Sequence, residues 1–167
     1  MLAANARVQI ELACTQLLNA YTLAIDAMDW NALDRIFVPD AIFQRTNMVP
    51  LRGCGQIKDF FQTLATKRLA LGTAHRTCHQ LTTTLIMPAD ALQATGVAYV
   101  LVMRTPDLHT LPAPMTDPEI LIEYHDAFRA TEDGWRICDH SARHIFRSVA
   151  FKEPLTAEEA ARLKPAV

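Results

Sequence analysis

An imidazole stands near the start of a run suited to a buried strand. The stretch TCHQLTTTLI, Thr77 to Ile86, is mostly β-branched or apolar and carries His79 as its third residue. Histidine changes charge near neutral pH, so proton transfer is the chemistry such a residue brings. A solvated ring, or one held by a single hydrogen bond, fits the same position. His75 and His79 are four apart, a spacing that on a helix would aim both at one metal ion. The Glu of an HExxH motif is absent and the following run reads as a strand, so no metal site is expected. Cys14, Cys54, Cys78 and Cys138 are scattered, with no CxxC and no zinc-ligand spacing. They read as reduced, partly buried thiols of a cytoplasmic protein. The run GWRICDHSARHIF is rich in cations. On strict alternation Trp135, Ile137, Ser141 and Arg143 share one face, and His140 and His144 the other. With the large apolar members turned inward, Arg143 is expected to face a pocket and bind a substrate carboxylate or oxygen. A surface Arg at a dimer edge is the alternative. Asp126 in YHDAF is a further polar candidate, with the same alternative.

These residues need elements to position them. The chain has 167 residues, half of them hydrophobic, and a formal charge of -2. That suits one domain with a real core. No basic surplus points to nucleic acid, and no polybasic run or long apolar stretch points to a membrane. Arg7 and Glu11 interrupt the N-terminal pattern, so a signal peptide is not expected. Residues 5–28 read as an amphipathic helix with Val8, Leu12, Leu18, Tyr21, Ile25 and Met28 on a rough stripe. Asp29 can cap a second, shorter helix through WNALDRIF, which Pro39 and Asp40 end. A short strand, Ala41 to Gln44, precedes a third helix over 56–71, with Ile57, Phe60, Phe61 and Leu64 facing in. Four strands follow, at 79–87, 92–104, 119–130 and 135–146. Turns at Pro88-Ala89-Asp90 and Glu132-Asp133-Gly134 close two hairpins. The proline-rich segment 106–118 cannot pair as a central strand and reads as a stiffened loop, a lid or an oligomer contact. One domain is expected to span residues 1–150, with a 151–167 tail carrying a capping box, Thr156 to Glu159. The layout is α+β: a curved, mostly antiparallel sheet wrapped on a helix layer, leaving a concave pocket for a small apolar molecule.

Three stretches carry a resemblance: YTLAIDAMDWNALDRIFVPDAIF, RTCHQLTTTLI and YHDAFRATEDGWRI. In this order and at these separations they resemble the SnoaL-like branch of the nuclear transport factor 2-like superfamily. That superfamily includes scytalone dehydratase, bile acid 7α-dehydratase, hexachlorocyclohexane dehydrochlorinase and ketosteroid isomerase. The resemblance covers residues 8–147 and implies a cone-shaped roll. It further implies that Asp26 pairs with His79, and that Tyr21, five residues before Asp26, joins the site. In that reading Asp26 fixes the imidazole tautomer, His79 takes a proton from an activated carbon, and Tyr21 stabilises developing charge. Read from spacing alone, Asp26 also fits a polar residue in the last helical turn and Tyr21 a core tyrosine. Five residues turn two side chains about 140° apart on a helix, so both can meet one cavity only if the sheet wraps well round it or the last turn is distorted.

The sequence also departs from the family. Arg45 stands where the isomerase has its catalytic Asp, and a guanidinium stays protonated, so that mechanism is not expected. Glu123 falls near the isomerase's second oxyanion donor, or is a solvated strand residue. Thr83 replaces an Asn common in relatives. The resemblance implies a cofactor-independent, dehydratase-type lyase acting on a medium-sized hydrophobic ring compound such as a polyketide, steroid or aromatic catabolite. A non-catalytic relative of the small subunits of aromatic-ring dioxygenases, or a polyketide cyclase or isomerase, are the alternatives. A homodimer or higher homo-oligomer is expected, because an open sheet leaves a face to cover.

Overall fold

In the computed structural model of the chain, the described residues are 2–114 and 116–148. Helix α1, Ala4–Ala27, packs Ile10, Cys14, Leu18 and Tyr21 into the core. Their spacings of four, four and three keep them on one helical face. Val8 and Leu12, placed on that stripe from the sequence, lie round the helix from it and are exposed. Met28, in the left-handed region at φ 55°, ends the helix. Asp29 then accepts a hydrogen bond from the Ala32 N–H at 3.2 Å, capping a single 3-10 turn, Trp30–Ala32. The short α2, Leu33–Ile36, runs straight into strand β1, Phe37–Arg45.

The strand therefore begins four residues earlier than the sequence suggests. Pro39 is tolerated because the pairing of β1 is irregular between Phe37 and Ile42, where no donor is needed. A two-residue β2, Leu51–Arg52, pairs with β1 and was not anticipated. Helix α3, Cys54–Ala70, buries Ile57 and Phe61. Four long strands follow: β3 (Arg76–Pro88), β4 (Gln93–Thr105), β5 (Ile120–Thr131) and β6 (Gly134–Arg147). They form one open six-stranded sheet in the order β2-β1-β6-β5-β4-β3. Only β1 and β6 run parallel. The sheet curls around α1, which touches both β3 and β6. This is the expected α+β architecture.

Of the glycines, Gly96 on β4 has the least room for a side chain. A Cβ there would sit 2.8 Å from Ile86 Cδ1 and 3.0 Å from Phe128 Cε2. Both neighbours are buried, so neither can step aside without disturbing the core. Gly96→Ala is expected to destabilise the fold by about 1–3 kcal/mol, measured by urea unfolding.

The segment between β4 and β5 is pinned to the body of the protein. Thr116 Oγ1 donates to the Arg104 carbonyl at 2.7 Å, and Arg76 donates to the Leu108 carbonyl at 2.6 Å. Cys14 and Cys54 are buried, Cys138 partly so, and Cys78 is exposed; all four are free thiols. Burial pushes the Cys14 thiol up to about 12 and Cys54 to about 11, so both stay neutral. Among the described residues no helix is long and apolar enough to cross a membrane. The capping box expected at Thr156 to Glu159 lies outside the described residues.

Candidate active site

Between the end of α1, the α3 face and the inner side of the sheet lies a cavity of about 100 Å³. His79 is on its wall. The β3 register puts His79 opposite Val102, whose side chain is fully buried on the inner face, and directly opposed residues share a face. Asp26, in the last turn of α1, holds His79 twice, once at the ring and once at the backbone. Its Oδ1 lies 2.6 Å from His79 Nδ1, and its Oδ2 accepts the His79 backbone N–H at 2.8 Å. The side chains are only 13% (His79) and 19% (Asp26) exposed, so water competes weakly for the contact. With Nδ1 committed to Asp26, Nε2 is left as the nitrogen able to accept a proton from a ligand.

Tyr21 lines the same cavity, although Asp26 does not. The angular conflict between them resolves because the curled sheet surrounds the helix end. Asp26 meets β3, while Tyr21 turns toward β5 and β6, with its ring 6.0 Å from Tyr124 and 4.8 Å from His140. Tyr124, which with Ile122 lines the cavity from β5, adds a second phenol to the wall. Burial, and then the field of Tyr124, hold the Tyr21 hydroxyl well above the ordinary phenol range. Burial, followed by Asp126, does the same for Tyr124. Both are therefore hydrogen-bond donors at any working pH.

Arg143, Glu123 and Asp126 do not line the cavity. Strict alternation misplaces Arg143 because Cys138 is an extra residue in β6. Phe128 pairs with Ile137, but Ala127 pairs with Asp139, so the face switches between them. Ile137, His140, Ala142 and His144 consequently point inward. Arg143 points outward, where it pairs with Glu123 across the strands. Glu123 also accepts from the Tyr99 hydroxyl at 3.3 Å and lies 2.9 Å from His125 Nε2. The hydrogen bonds of His125 and then Arg143 hold its carboxyl below the usual range. Arg143→Gln should therefore leave turnover of a cavity-bound substrate within about twofold, as steady-state rates would show.

Asp126 does face inward, but beneath the cavity rather than in its wall. Its Oδ1 is 2.7 Å from His140 Nδ1, and neither side chain has any exposure. A second extra residue, at Thr82, switches the face of β3 between Leu81 and Thr83. That change puts Thr83 opposite Tyr99 on the outer surface, so it offers the cavity nothing.

The rest of the wall was not legible as a site. Phe61, Leu64, Ala65 and Arg68 form one face of α3, and Phe43 and Arg45 are alternate residues of β1. Arg104 continues the buried inner row of Val100 and Val102 on β4, directly opposite Thr77. His75 and His144 complete the polar wall, and Trp30 stacks on Phe61 at 5.6 Å. No residue of the described 106–118 segment lines the cavity. Among the described residues, no three His, Cys, Asp or Glu side chains group so as to hold a metal ion.

Comparison with known proteins agrees with this architecture. The fold matches a protein named as a scytalone dehydratase from Novosphingobium aromaticivorans with a TM-score of 0.70. Identity is 15%, over 92% of this chain and 96% of that one. A hexachlorocyclohexane dehydrochlorinase from Novosphingobium barchaimii superposes with a TM-score of 0.68 at 16% identity. The match covers 91% of this chain and all (100%) of that one. A protein named as an aromatic ring hydroxylase, also from N. aromaticivorans, gives 0.64 at 23% identity over 83% of this chain and 91% of its own. A search of curated proteins finds no match. The SnoaL-like domain pattern matches residues 6–140. The chain thus belongs to the SnoaL-like domain family, on the nuclear transport factor 2-like fold.

Proposed function

We propose that the protein is a cofactor-independent lyase that removes a proton from an activated carbon and expels a leaving group from the neighbouring one. The observation that carries this reading is the bidentate hold of Asp26 on His79 at the wall of the cavity. His79 Nε2 takes the proton. The C–H electron pair becomes the new double bond, and the leaving group departs with its own pair, as hydroxide in a dehydration or as halide in a dehydrohalogenation. Asp26 keeps the proton of the neutral ring on Nδ1 and stabilises the imidazolium as it forms. Tyr21, with Tyr124 beside it, donates to the oxygen on which charge develops. The apolar part of the wall, Ile25, Phe43, Phe61 and Ile122 among it, suits the ring of a hydrophobic substrate. The structural neighbours named as a dehydratase and a dehydrochlorinase bear the names of eliminations, which supports the reaction class. Homodimerisation is proposed with it, since the outer sheet face leaves Leu85, Tyr99 and Phe146 exposed.

The test of the reaction class is a kinetic isotope effect. The purified protein, with no added cofactor, is supplied with β-hydroxy and β-halo ring ketones, and conjugated product is followed by absorbance. Deuterium at the carbon next to the carbonyl should slow turnover severalfold. Turnover with no isotope effect under substrate-limiting conditions, or dependence on an added redox cofactor, contradicts a His79-initiated elimination.

A further inference from the structure

Every permanently charged side chain in the cavity wall is a cation. Arg45, Arg68 and Arg104 all line it, with His75, His79 and His144, and among the described residues the lining holds no Asp or Glu. The chain as a whole carries a formal charge of -2, so this is local placement and not bulk composition. The three guanidiniums come from β1, α3 and β4, elements far apart in sequence that the fold brings to one end of one cavity. Among the described residues, neither Arg45 nor Arg68 has a carboxylate within ion-pair distance; Arg104 has Glu119 at 3.6 Å, which is not part of the wall.

The groups feel one another. Burial first, and then the fields of Arg104 and Arg45, pull Arg68 down to about 10. Burial followed by Arg104 and Arg68 lowers His75 against the weaker pull of Glu119. His75 Nδ1 is buried without a hydrogen-bond partner. Bringing like charges together out of water is costly, and nothing in the packing of the core requires it. An anion seated among them would offset that cost, and guanidinium forks match a carboxylate two bonds at a time.

We infer that the substrate carries a carboxylate, which Arg45, Arg68 and Arg104 hold while the carbon to be deprotonated lies at His79. The inference rests on the reading of this cavity as a substrate site and adds the chemical class of what enters it. A hydrophobic ring acid fits the two halves of the wall: its ring against Phe43, Phe61 and Ile122, its carboxylate toward the arginines. The same cations also lower the energy of an enolate forming near that carboxylate.

The probes are benzoate and its neutral isostere benzamide, titrated calorimetrically into the full-length protein. Benzoate should bind at least tenfold more tightly than benzamide. Arg68→Gln should erase that advantage, and Arg68→Lys, which keeps the charge but loses the fork, should keep part of it. Arg143→Gln, on the outer face, should change neither affinity. His79→Gln should leave benzoate binding within threefold, so loss of turnover and loss of anion binding report on separate claims. Equal affinity for the two probes, no measurable benzoate binding at millimolar concentration, or a benzoate affinity unmoved by either Arg68 variant overturns the inference. So does displacement of benzoate by inorganic phosphate at concentrations below those at which benzoate itself binds, which would assign the cluster to a phosphate.

Discussion

His79→Gln is expected to lower kcat by about 10³-fold, while KM should stay within a few-fold of the parent value. Glutamine fills much of the same space and keeps a polar end, so the cavity persists; what it lacks is a nitrogen that accepts a proton at neutral pH. Asp26→Asn is expected to cost about 10²–10³-fold by a different route. An amide in place of the carboxylate can donate to Nδ1, which drives the ring proton onto Nε2, the nitrogen that must be bare. Because both substitutions disable one unit, their effects should not add. The double variant should be no slower than His79→Gln alone within about threefold. Single-turnover rates for the three variants check this. Additive losses would mean that Asp26 acts on catalysis by some path other than the imidazole.

Asp126→Ala is expected to produce the largest loss of stability. Asp126 and His140 face each other across β5 and β6 at 2.7 Å with no exposed side-chain surface. Aromatic rings enclose His140: Phe43 stacks on it at 5.2 Å, and Tyr21 and Tyr124 stand at 4.8 and 4.6 Å. Removing the carboxylate strands a polar nitrogen among these rings and opens a void beside it. The expected cost is about 3 kcal/mol, or roughly 10 °C in Tm for a domain of this size. Asp126→Asn retains an acceptor and should cost about 1 kcal/mol. Calorimetric melting compares them. A Tm for Asp126→Ala within two degrees of the parent would show that the pair contributes little. Because Tyr21 and Tyr124 rest on His140, the alanine variant should also lose turnover well below its melting temperature.

Much of this structure could be read from the chain, for identifiable reasons. The four long strands and both long helices follow from periodicity and turn chemistry. The hairpins closed at Asp90 and Gly134 form where the turn residues place them: Asp90 Oδ1 accepts from the Leu92 and Gln93 N–H groups, and Gly134 adopts φ 106°. The approach of Asp26 to His79 was legible only through family resemblance, since more than fifty positions separate them. The face of Arg143 was misjudged because an extra residue at Cys138 leaves no mark in an alternating pattern. A single inserted position moves every later side chain to the opposite face. The extra residue within the Thr82–Thr84 run is hidden in the same way. Arg45 was noticed only as a residue unfit to be a base. Its place beside Arg68 and Arg104 depends on the curl of the sheet against α3, a tertiary fact with no local signature. Tyr124 could have been found by alternation from Ile122, had the inner face of β5 been known.

The most direct measurement is the protonation of one ring. In protein labelled with ¹⁵N-histidine, long-range proton–nitrogen NMR distinguishes the two nitrogens of each imidazole, with His79→Gln supplying the assignment. The account predicts a His79 that, when neutral, carries its proton on Nδ1 toward Asp26 and leaves Nε2 bare, and that loses this preference in Asp26→Asn. A proton resident on Nε2, or on both nitrogens throughout the neutral range, would contradict it.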